Sequence, residues 1–99
     1  MEKDKTILEF IEKLKLKVNT ELFEIIDYWD ADLCAIGLKK GNRLIYLSTY
    51  NYILEDIIKY DFHFEIIDKL QKDKIQILKE GRAVSEDEIF CEVRAFLAV

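Results

Sequence analysis

The chain has no proline, and its 99 residues include only three glycines and one histidine. With no proline, repeat or low-complexity tract there is no linker, so the chain reads as one domain over residues 1–99. Three glycines cannot build a glycine-rich phosphate cradle. No CxxC or HxxxH spacing occurs, which removes the common zinc patterns. No apolar run approaches the ~20 residues of a membrane span. Residues 1–5 are charged and lead into no apolar h-region, so no signal peptide is expected and the expected address is cytoplasmic. Cys34 and Cys91 each lie in an apolar run and are expected to be reduced and buried.

What is present is ordinary globular chemistry, about half apolar and a third charged. The formal net charge of −5 argues against a general affinity for nucleic acid, whose phosphates require a basic surface. The distribution says more than the sum. Glu21, Glu24, Asp27, Asp30 and Asp32 fall in one stretch without a positive charge. Glu55, Asp56, Asp61, Glu65 and Asp68 follow against Lys59, and Lys69, Lys72, Lys74, Lys79 and Arg82 form a basic stretch. Opposed patches of this kind either steer a charged partner or are simply solvated faces.

Hydrophobic spacing predicts the elements. Ile7, Phe10, Ile11, Leu14 and Val18 recur at helical intervals, and Thr6 with Glu9 fits a capping box that starts the helix near Thr6. Three strands follow, at Leu22–Tyr28, Leu33–Lys39 and Arg43–Thr49, the last two joined by a Gly41-Asn42 turn. The third carries apolar residues on both alternations. Residues 50–59 are ambiguous between helical turn and edge strand. Tyr60, Phe62, Phe64 and Ile66 alternate with Asp61, His63 and Glu65 as a half-buried strand. Residues 74–79 alternate likewise, with a turn or bulge at Glu80-Gly81. Ser85 with Glu88 caps a closing helix. The expectation is an α+β fold: an antiparallel sheet of about five strands in a meander, with N- and C-terminal helices packed on one face.

Catalytic candidates are few. His63 shares a strand face with Asp61 and Glu65, an arrangement suited to a general base, but no nucleophile stands beside it and the same face is the polar side of an amphipathic strand. A thiol dyad of Cys34 or Cys91 with His63 competes with plain apolar packing. No enzyme and no cofactor is expected. Asp27, Asp30 and Asp32 form a carboxylate cluster that lacks the glycine and terminal glutamate of an EF-hand loop. It either turns the chain or offers an acidic recognition surface to a basic partner. Tyr28, Trp29 and Tyr46 suit either a strand core or, beside Tyr50 and Tyr52, an aromatic binding patch; Tyr50 and Tyr52 sit in a polar loop that suits contact with a partner as well as burial.

The residues Ile26-Asp27-Tyr28-Trp29-Asp30-Ala31-Asp32-Leu33-Cys34-Ala35-Ile36-Gly37, followed by Arg43-Leu44-Ile45-Tyr46-Leu47-Ser48-Thr49-Tyr50, resemble small bacterial immunity proteins of polymorphic toxin and contact-dependent growth inhibition systems. The resemblance covers roughly residues 22–50. Residues 51–80 depart from the pattern. It implies a cytoplasmic, non-catalytic protein that binds and blocks one cognate toxin; by residue type, Asp27, Asp30 and Asp32 are then the expected steering charges and Tyr50 and Tyr52 the expected anchors. From the charge and the absence of a long apolar run, no direct contact with nucleic acid or membrane is expected. The competing expectation is a self-assembling module, a homodimer formed through an incompletely covered sheet face.

Overall fold

The first helix, α1 (Lys5–Lys17), is capped by Asp4 rather than by Thr6. The Asp4 carboxylate accepts from the Thr6 amide at 3.0 Å and also from the Thr6 hydroxyl. That hydroxyl is buried and meets the Thr49 hydroxyl at 2.7 Å, so Thr6 is occupied by a residue 43 positions away and the helix begins before it. Asn19 caps a short 3-10 turn at Thr20–Leu22 by accepting from the Glu21 amide. The computed structural model describes residues 2–27, 31–67 and 75–99.

Five strands follow: β1 (Glu24–Ile26), β2 (Ala35–Lys40), β3 (Arg43–Ser48), β4 (Tyr60–Ile67) and β5 (Ile75–Val84). They pair in the order β1-β2-β3-β4-β5, every neighbour antiparallel. This is the expected meander. β1 is shorter than the expected first strand, and Tyr28, at that strand's end, lies outside the described residues. Lys40 pairs with Arg43, leaving Gly41 and Asn42 as the two-residue connection, and Gly41 takes φ +62°, where a glycine is at ease. Residues 50–59 are neither α-helix nor strand. They hold a 3-10 turn at Tyr50–Tyr52 and then bends.

Helix α2 (Glu86–Leu97) starts where expected, with the Ser85 hydroxyl accepting from the Glu88 amide. Its first turn carries Glu86, Asp87 and Glu88, which suit the positive end of the helix dipole. At the other end the β2–β3 hairpin supplies cations. Arg43 donates to the Phe96 carbonyl at 2.6 Å and Lys40 to the Ala98 carbonyl at 3.3 Å.

Both helices cover one face of the sheet. Ile7, Phe10, Ile11 and Leu14 of α1 and Ile89, Phe90, Val93 and Leu97 of α2 share one core with Ile36, Leu38, Ile45, Leu47, Phe62 and Phe64. Phe10 is fully buried at its centre, stacked on Phe90 and tilted against Tyr60, each at 5.4 Å between centroids. Burying side chains of this size contributes about 1.5–3 kcal/mol apiece. The apolar residues on both alternations of β3 divide as follows: Ile45 and Leu47 face the helices, while Leu44 and Tyr46 lie on the opposite face, Leu44 buried and Tyr46 half-buried. Among the described residues no helix is long and apolar enough to cross a membrane.

Cys34 is buried as expected, and burial raises its thiol pKa, helped by the Asp4 and Asp32 carboxylates. Cys91 is exposed, against expectation. The inward stripe of α2 is Ile89, Phe90, Val93 and Leu97, and position 91 falls off it.

Of the turn or bulge expected at Glu80-Gly81, the structure has the bulge, in the residues that follow Gly81, and β5 does not leave the sheet. It accommodates two register shifts against β4, one between Phe64 and Glu65 and one between Tyr60 and Phe62. The second places Ala83 at φ +53°. Opposite Phe62 stands Gly81, and a Cβ there would clash with the Cε1–Cζ edge of the Phe62 ring, so the glycine is what lets that ring lie across β5. Gly81→Ala should destabilise the protein by about 1–3 kcal/mol, the usual cost of forcing a packed ring to move. Urea unfolding measures it, and an unchanged midpoint would mean that Phe62 moves aside at no cost.

A candidate acidic and aromatic cavity on the open sheet face

Because the helices occupy one face, the opposite face is built by the strands' own side chains. The pairing sets them in rows. Tyr46 of β3, His63 of β4 and Glu80 of β5 are successive cross-strand partners, and Ser48 and Asp61 pair in the next row. These residues, with Asp32, Tyr50, Asn51, Phe62, Gly81 and Arg82, line a cavity of about 280 Å³.

Asp61 organises one wall. One carboxylate oxygen accepts from the Tyr52 hydroxyl at 2.6 Å and from the Ala83 amide at 3.0 Å, and the other accepts from the Asn51 side chain at 3.0 Å. The left-handed Ala83 thus directs its N–H at a side chain, and two separate segments, the Tyr50–Tyr52 turn and β5, converge on one residue. Burial alone would raise the Asp61 pKa. The bonds from Tyr52, Ala83 and Asn51, with the Arg82 charge, outweigh it and hold the carboxyl below its ordinary 3.8. The Tyr52 hydroxyl is raised in turn, chiefly because it donates to Asp61.

The second wall is aromatic. The Tyr46 and His63 rings stack with centroids 4.6 Å apart and planes 13° from parallel. Burial, joined by the Asp32 carboxylate, raises the Tyr46 pKa against a smaller opposing effect of Ser48. His63 Nε2 lies 3.5 Å from Oε2 of Glu65, which is only 6% exposed. That separation is too long for a hydrogen bond, the contact is ionic only when the imidazole is protonated, and the oxygen has no hydrogen-bond partner. The carboxylate engaging His63 is therefore Glu65, while Asp61 is committed elsewhere. Comparison with family models, with curated proteins and with solved structures finds no significant match for this chain.

The residues singled out in the sequence separate in space. Asp32 and Tyr50 meet at the cavity. Asp32 accepts from the Cys34 amide at 3.0 Å through one oxygen, and its other oxygen lies 3.5 Å from the Tyr46 hydroxyl. Tyr50 is 66% exposed. Tyr52 borders the site through Asp61 and is half-buried rather than free in solvent. Asp27 is not in the lining. It pairs with Lys3, whose side chain is fully buried and also donates to the Asp32 carbonyl at 2.7 Å. Lys3 thereby ties the two ends of the acidic corner together. Trp29 and Asp30 lie outside the described residues.

Asp61, Glu80, Arg82 and Asn51 were not among the sequence's binding candidates. Alternation along β4 does place Asp61 and His63 on one face. Glu80 and Arg82 join them only through the register of β5, which its bulges shift. Among the described residues no group of three His, Cys, Asp or Glu is arranged to hold a metal ion.

A folded-state pKa lowered at Asp61, and likewise at Asp4, contributes stability that is present above the unfolded value and lost as pH falls through the folded one. Stability should therefore drop below about pH 4. Tyr60 has the opposite sense. Its burial, with Glu86 and Glu9 nearby, raises its pKa to about 12, so its contribution is intact below the unfolded value of 10.0 and lost between the two. Asp61→Asn should cost roughly 1–3 kcal/mol at neutral pH and flatten the acid limb. Urea unfolding from pH 2.5 to 7 tests this, and an acid limb as steep as in the parent would remove Asp61 from the account.

Proposed function

We propose that this chain is a non-catalytic immunity protein that binds and neutralises a cognate bacterial toxin, in the cytoplasm, by forming a stoichiometric complex. The observation that carries the reading is the cavity on the helix-free face, where carboxylates and aromatic rings meet beside the exposed Tyr50. Aromatic anchors supply affinity and carboxylates speed the approach of a basic partner. The resemblance over residues 22–50 points the same way. The arrangement around His63 favours binding over hydrolysis. Its Nε2 faces Glu65, and the neighbouring Ser48 hydroxyl accepts the Tyr50 amide at 3.2 Å.

Tagged protein expressed in its native bacterium should retain one basic protein in stoichiometric amount at moderate salt and protect cells that produce it. Tyr50→Ala should weaken that complex by roughly tenfold or more while leaving thermal stability unchanged. Recovery of no partner while neighbouring genes are expressed would overturn the reading.

A second reading has its own observation. β5 is the terminal strand of the sheet, ten residues long, with Ile77 and Leu78 each about half exposed at 50% and 51%. Such an edge is suited to pairing with a second copy. Sedimentation over a hundredfold range of concentration decides it, since a monomer throughout excludes a homodimer as the working form.

A further inference from the structure

The cavity beside Tyr46 and His63 has a size and charge that define its guest. We propose that it receives one arginine side chain of the protein partner. This rests on the partner-binding reading above and names the chemistry of the contact.

Charge comes first. Asp32, Asp61 and Glu80 line the cavity against Arg82 as the one full cation among the lining residues. Glu65 lies buried behind His63 and adds a further carboxylate to the same side. An anionic guest is repelled, and an apolar guest would dehydrate carboxylates without compensating them.

Size comes second. About 280 Å³ lies at the small end of the ~300–1,000 Å³ typical of pockets for cofactors and drug-sized ligands, and holds a single side chain.

The walls then choose between the two cationic side chains. Asp61 already accepts three hydrogen bonds, so Glu80 and the outer oxygen of Asp32 are the acceptors with capacity left. On the row between Tyr46 and Glu80 stands the imidazole of His63, stacked on the phenol ring. A planar guanidinium can lie against a ring and present several donors to carboxylates at once. A lysine ammonium is a compact, strongly hydrated point charge and loses more on entering. Arg82 is exposed at the rim, and its charge opposes the incoming cation.

The test is an amide chemical-shift titration of the full chain with N-acetyl-arginine methylamide, its lysine counterpart and its glutamine counterpart. The arginine compound should give saturable shifts at Ser48, His63, Glu80 and Gly81 in the millimolar range, the lysine compound should bind several-fold more weakly, and the glutamine compound should give none. Glu80→Gln should weaken arginine binding roughly two- to fivefold, and Arg82→Gln should strengthen it by a similar factor. These two residues are on the surface, and the dispersion of the variant spectra verifies that both fold. Shifts that do not saturate, that spread to Asp56 and Glu86, or that are equal for lysine overturn the proposal, as does Arg82→Gln binding no more tightly than the parent.

The two readings fail separately. A stoichiometric partner whose affinity ignores Glu80→Gln and Arg82→Gln leaves the immunity function standing and removes the arginine contact. Saturable arginine binding with no partner recovered removes the immunity function and leaves the cavity.

Discussion

Phe10 lies where the two ends of the chain meet. Its ring stacks on Phe90 of α2 and leans on Tyr60 at the start of β4, so one fully buried side chain joins the first helix, the last helix and the sheet. A chain of 99 residues has enough apolar surface for one such layer. Both helices are committed to it, and the rest of the architecture follows. The face they leave must be made by the strands themselves, and it is there that polar and aromatic side chains stand in rows.

The open face is held by polar contacts of high sequence separation. Lys3 reaches Asp27 and the Asp32 carbonyl, and Asp61 gathers Asn51, Tyr52 and the Ala83 amide. These contacts place the irregular connections around the cavity, since residues 50–59 have no ladder of their own to position them. The Ala83 bulge has a definite part in this. It breaks the β4–β5 register and turns one amide towards a carboxylate. A regular strand would have kept that amide in the ladder.

The elements legible in the sequence are those whose signals are local. Ser85 caps α2 because its hydroxyl bonds an amide three residues on, a contact that needs nothing from the rest of the chain. The start of α1 near Thr6 agrees with the sequence, but its cap does not: the Thr6 hydroxyl is engaged by Thr49, across the fold, and Asp4 performs the capping. Cys91 illustrates a different error. The buried stripe of Ile89, Phe90, Val93 and Leu97 leaves position 91 outside it, and the usual burial of cysteine is the weaker guide. At the site, Asp32 and Tyr50 were found through composition and position in a loop. Asp27 carries the same charge, but Lys3 holds it outside the cavity.

Periodicity and turn chemistry by themselves determined the α+β meander, the two helices on one face, and the polar alternation of β4. These depend on side-chain spacing of 3.6 or 2 residues and on short connections, which leave adjacent strands only the antiparallel arrangement. Tertiary structure alone decided which carboxylates share a cavity. Tyr46, His63 and Glu80 form a row because three strands pair in a register set by two bulges and by the absence of a Cβ at Gly81. A one-residue slip would send each of these side chains to the opposite face, and the alternation read along residues 74–79 does not specify that register, because residues 76–80 are exposed on both sides of the strand rather than half-buried as expected.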